Sequence, residues 1–152
     1  MRKPSFLLLK KNIILALISF MVLTSCNMDE GYTSCLPRME VNAVYSLLMP
    51  YFAPLNSPMG YVVLPSDGTN GTQGMIIINT GNGFRAYDRN APHLCPDTNT
   101  VLIVEDDLKI VCPADGAEWL LLTGEPLNNQ TQGRTPLRYR VTQQDNNLQI
   151  TW

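Results

Sequence analysis

The sequence predicts an all-β fold of antiparallel strands, a sandwich or a barrel. Three observations lead there. Short apolar runs recur between turn clusters, and no long stretch past the N-terminal segment keeps a helical period. Ten Gly and eleven Pro supply many turns. The run at 137–141 alternates: Leu137, Tyr139 and Val141 share one face, Arg138 and Arg140 the other. That pattern suits a sheet with one buried and one wet face. The 152 residues, 45% hydrophobic and 16% charged, have the length for one domain and the apolar content for a core. A single His excludes a multi-histidine metal site, and a net charge of −2 excludes a strongly basic nucleic-acid binder.

The first element is a targeting segment. Arg2, Lys3, Lys10 and Lys11 are the only charges in the first 25 residues, and an apolar run at 13–23 follows them. A basic start, a short apolar core and small residues before a cut site describe a secretory signal. The run is too short for a comfortable membrane span. Leu23-Thr24-Ser25-Cys26 resembles the lipobox of bacterial lipoproteins, in which the Cys becomes the mature N-terminus and carries lipid. The resemblance implies a signal peptide at 1–25, a lipidated (palmitate-bearing) Cys26 and a lipid-anchored tether at 26–37. The folded domain is then 38–152. It also implies the bacterial cell envelope. Asn27-Met28-Asp29-Glu30 resembles the surface-export signal of some Gram-negative lipoproteins, which points to a surface-exposed outer-membrane protein; a plain polar tether is the alternative. Cleavage removes four of the 11 Lys and Arg and none of the 13 Asp and Glu, so the net charge goes from −2 to −6. Charge does not draw such a module to nucleic acid or anionic headgroups. Its expected partners are the membrane, through the anchor, and a protein of the envelope.

The strands follow in order at 41–48, 61–64, 75–79, 84–87, 101–104, 108–111, 119–122, 137–141 and 148–152. β-branched and aromatic residues dominate several of them. Ser66-Asp67-Gly68-Thr69-Asn70-Gly71, Thr80-Gly81-Asn82-Gly83 and Asp145-Asn146-Asn147 are turns. The segment 50–58 holds three Pro and reads as a loop. One hairpin joins 101–104 to 108–111 through Glu105-Asp106-Asp107, an acidic tip expected to be solvated rather than to hold a cation. A second joins 138–141 to 148–152 through a polar loop.

Two loops carry the functional question. They are Ala91-Pro92-His93-Leu94-Cys95-Pro96 and Cys112-Pro113-Ala114-Asp115-Gly116-Ala117-Glu118-Trp119, each following a predicted strand. From Tyr61 to Trp152 the chain resembles a Rieske domain. That family carries C-x-H in one loop and C-x-x-H-G in a second. Here His93 and Cys112 are separated by 18 residues, and Cys112-Pro113 leads to Gly116 and then Trp119. Thr123-Gly124-Glu125-Pro126 and Pro136-Leu137-Arg138-Tyr139 continue the match. The resemblance implies a Rieske-like antiparallel β-sandwich or barrel with two loops at the former cluster site.

The chain departs from the family in its ligands. A Rieske 2Fe–2S cluster takes two Cys on one iron and two His on the other. Ala91 stands at the first Cys position and Asp115 at the second His position, so only His93 and Cys112 match. The expectation is a kept fold, no cofactor and no enzymatic activity. The alternative is electron transfer by an atypical 2Fe–2S cluster, or by a single iron or zinc, on His93, Cys95, Cys112 and Asp115. In an exported protein the favoured state of Cys95 and Cys112 is a disulfide clipping the two loops. Cys35 can instead pair with either of them, leaving the other free. No nucleophile elbow, zinc-protease motif or phosphate loop is present.

Overall fold

The computed structural model describes residues 35–37 and 39–152. The signal segment 1–25, Cys26, the acidic stretch 27–30 and most of the tether lie outside the described residues. Among the described residues no helix is long and apolar enough to cross a membrane.

The fold is all-β and every strand pair is antiparallel. The strands are β1 (Asn42–Ser46), β2 (Tyr61–Leu64), β3 (Met75–Asn79), β4 (Phe84–Asp88), β5 (Ile103–Glu105), β6 (Lys109–Val111), β7 (Glu118–Leu120), β8 (Arg138–Gln144) and β9 (Asn147–Thr151). Six form one curled sheet in the order β1-β9-β8-β4-β3-β2, and β5-β6-β7 form a second. The smaller sheet is inserted in sequence between β4 and β8. Each predicted run contributes one strand, shifted by a few residues at its ends.

The central strand shows why the sheets sit as they do. β3 is Met75-Ile76-Ile77-Ile78, four fully buried residues in a row. Alternation sends Met75 and Ile77 to one core, with Leu55, Tyr139, Leu148 and Ile150. Ile76 and Ile78 go to the other, with Tyr87, Ile110, Trp119 and Leu121. A strand covered on both faces needs an unbroken apolar run.

Two segments differ from the sequence expectation. The stretch read as a loop at 50–58 contains a 3-10 helix, Pro50–Asn56, which buries Phe52 and Leu55. Pro50 presets its first turn, and Pro54 has no N–H for an α-helical ladder, which keeps it in the tighter form. The polar loop at 142–147 shrinks to Asp145-Asn146, because β8 runs on to Gln144. Asp145 takes φ 52, which Asp tolerates in a tight turn. At the acidic tip Asp106 and Asp107 both have positive φ, 53 and 57, as a primed hairpin turn requires. Asp107 accepts a 2.7 Å hydrogen bond from the Tyr61 hydroxyl, so the tip also ties β2 to the smaller sheet.

β8 changes partner along its length. Arg138 and Tyr139 pair with Tyr87 and Ala86 of β4, and Arg140 onward pairs with β9. A buried contact holds this seam: the Tyr139 hydroxyl donates to Asp88 Oδ2. Asp88 Oδ1 accepts from the backbone and side-chain amides of Asn90, at 2.6 and 2.7 Å. Burial, then the facing Asp88 carboxylate, pushes the Tyr139 phenol far above its ordinary range. Replacing Tyr139 by Phe leaves Asp88 buried with one donor fewer. We expect Tyr139→Phe to cost about 2 kcal/mol in urea unfolding, with an unchanged m-value.

Candidate functional site

Both loops are built by their own backbone chemistry. The first, 89–97, leaves β4 at Asp88, whose carboxylate fixes Asn90. Ala91 and Pro92 are buried, and the Pro92 carbonyl accepts from Arg134 Nη1 at 3.1 Å. Its exit is a capping box, in which Asp97 and Thr100 bond each other's backbone N–H. The second loop, 112–117, joins β6 to β7. Cys112 N–H donates to Ala117 O and Gly116 N–H to Cys112 O, both at 2.9 Å. Asp115 Oδ1 accepts the Ala117 N–H at 3.1 Å, and Gly116 takes φ 72. The loop closes tightly, with Asp115 at its crown.

The two loops meet side chain to side chain. His93 Nε2 lies 2.6 Å from Asp115 Oδ2. The imidazole is buried and Asp115 is partly open to solvent. The ring leans on Trp119, 5.6 Å between centroids. Trp119 is fully buried, and its Nε1–H donates to Arg134 O at 2.7 Å. Arg134 thus straps Trp119 and Pro92 together beneath the histidine.

Cys112 is a free thiol with no exposed surface. Donor atoms of His93, Cys112 and Asp115 all lie within 4.8 Å of one another. His93 Nδ1 is buried with no hydrogen-bond partner. Burial, reinforced by the hydrogen bond and charge of Asp115, pushes the Cys112 thiol up, against bonds from the backbone of Ala114 and Asp115. A nucleophilic cysteine needs the opposite shift. Burial raises the Asp115 carboxyl, but hydrogen bonds from His93, Ala117 N–H and Cys112 outweigh it and hold the group below its usual range.

The disulfide expected between Cys95 and Cys112 does not form. Cys95 bonds Cys35, with Cα atoms 5.5 Å apart across a sequence separation of 60. The reason is strand alternation: Ile110 and Cys112 both point into the core beside Trp119, while Cys95 lies exposed on the outside of the first loop. Cys95 also drops out of the expected four-donor metal set, because a bonded sulfur is no thiolate ligand. The other three donors, His93, Cys112 and Asp115, are brought together.

A two-iron cluster does not fit these residues. It needs two thiolates and two imidazoles, and among the described residues the loops offer one free thiol and one imidazole. Ala91, at the first Cys position, is packed into the second core at 1% exposure. A mononuclear ion is a smaller demand. Zinc accepts N, S and O donors, and its open sites use three protein ligands with a fourth position free.

Two outcomes check this geometry. The Cys35–Cys95 bond closes a long loop, so in the chain-entropy picture reduction should lower stability by about 4 kcal/mol, read by urea unfolding with and without reductant. Cys35→Ser should reproduce that loss without reductant. Asp115, with a depressed folded-state pKa, stabilises above its unfolded value of about 4 and loses that contribution as pH falls through its folded value. Asp115→Asn should therefore flatten the acid limb of the thermal midpoint against pH.

Family models, curated proteins and solved structures were each compared with this chain, and none matches it.

Proposed function

We propose that this chain is a membrane-anchored envelope lipoprotein whose Rieske-type domain lacks the standard cluster and acts as a structural or interaction module without catalysis. The observation that carries this reading is the His93–Asp115 contact at 2.6 Å. It joins the two loops at the place where, in the resembled family, metal joins them. Protein groups link the two loops, the His93–Asp115 contact above the buried Cys112 thiol, and a disulfide ties the first loop to Cys35. Ala91 in the core and Cys95 in a disulfide support the same reading. So does the topology, in which 89–137 builds its own small sheet and presents both loops together. The anchor at Cys26 and the envelope location rest on the lipobox resemblance.

One observation favours a second reading. The three converging donors, with His93 offering Nε2, suit a single divalent ion, zinc or iron. Ligand atoms around such an ion stand about 3.4 Å apart at the usual bond lengths. The His93–Asp115 pair would have to open by somewhat under an ångström. The group would then be a three-ligand centre with an open position, and iron there would make electron transfer available.

Metal and thiol analysis decides between them. The full chain, purified aerobically and anaerobically in detergent, should be colourless, free of iron and acid-labile sulfide, and carry one slowly reacting thiol, Cys112. One zinc or iron per chain, lost in Cys112→Ser and Asp115→Asn, would establish the second reading instead. Visible charge-transfer bands with iron and sulfide in equal amounts would overturn both.

A further inference from the structure

The basic residues of this acidic domain are unevenly placed. The described residues hold six Lys and Arg: Arg85, Arg89, Lys109, Arg134, Arg138 and Arg140. Four of them are engaged. Lys109 pairs with Glu118 at 2.8 Å. Arg89 donates to Leu102 O, Arg134 to Pro92 O and Arg85 Nη1 to Leu122 O. Among the described residues the side chains of Arg138 and Arg140 make no hydrogen bond and no ion pair. These two and Arg85 line one cavity of about 630 Å³.

The register explains the convergence. Arg138 stands opposite Tyr87 across the β4–β8 seam. Arg85 lies two residues before Tyr87, and Arg140 two residues after Arg138, so all three share a face. Extending the same register by one residue sets Arg85 against Arg140. Like charges placed so are mutually destabilising. No carboxylate of the described residues pairs with any of the three. Phe84 and Trp152 also line the cavity, and the Trp152 indole sits edge-on to Tyr139 at 6.2 Å.

We infer that this cavity is a binding site for a phosphate monoester. Two unpartnered guanidiniums two residues apart on one strand face offer forked donors to a single oxyanion. Arg85, held by Leu122 O, supplies a third positive charge from a fixed position. The volume falls within the range of small-ligand sites. A bound anion also removes the like-charge repulsion that the empty face carries. The site uses none of the residues of the His93–Asp115 cluster and does not depend on what that cluster holds.

The test uses the full chain in non-ionic detergent at low salt. Phenyl phosphate and inorganic phosphate are titrated by calorimetry, with the thermal midpoint as a second readout. Phenyl phosphate should bind, raise the midpoint and weaken as salt is added. In the double variant Arg138→Gln/Arg140→Gln, affinity should fall about tenfold or more. Both positions are solvent-exposed, so the variant should fold, with a ligand-free midpoint equal to or above that of the parent. A parallel arm compares phosphatidylcholine vesicles with and without phosphatidylglycerol. A preference for the anionic vesicles that the double variant loses, without soluble binding, identifies a lipid headgroup as the source of the same chemistry. Absence of any phosphate or vesicle response, or a response unchanged in the double variant, overturns the proposal.

Discussion

The structure depends on one strand that has no wet face. β3 buries four consecutive apolar side chains, two into each core. Because it is covered on both sides, the six-stranded sheet must carry the smaller sheet against one face and the Pro50–Asn56 segment against the other. Removing either cover would expose large aliphatic surface, at about 25 cal/mol for each Å². The loops that form the candidate site are held where the smaller sheet docks. Their position follows from that burial.

Within that frame three kinds of interaction hold the two loops. The buried Trp119–Arg134–Pro92 strap is made of hydrogen bonds shielded from water. The Cys35–Cys95 bond ties the stretch before β1 to the first loop and acts by limiting the unfolded chain. The His93–Asp115 pair is half open to solvent, so its value is orientational more than energetic. It sets the imidazole and the carboxylate against each other above a neutral, buried thiol. The same arrangement brings donor atoms of His93, Cys112 and Asp115 within 4.8 Å of one another.

Charge is distributed with similar economy. The described carboxylates outnumber the bases, yet three arginines gather on one face of the β4–β8 seam. The other bases are spent on carbonyls or on Glu118. The proposed anion site lies where the surrounding negative field is locally reversed.

The sequence by itself determined the fold class and the position of every strand, because the apolar runs and the turn clusters between them are local signals. It marked 137–141 as a strand with both arginines outward, and it placed His93, Cys112 and Asp115 on neighbouring loops. Only the tertiary structure decided the rest. Which cysteines pair depends on which faces they occupy: Cys112 points inward with Ile110, and Cys95 lies outside within reach of Cys35. The short helix at Pro50–Asn56 exists because a core receives Phe52 and Leu55, something a proline-rich stretch cannot reveal. The Tyr139–Asp88 contact joins residues 51 apart. The approach of Arg85 to Arg138 and Arg140 comes from strand order, which runs β8 next to β4. Periodicity is written residue by residue, whereas proximity between distant residues is set by how the sheets pair and curl.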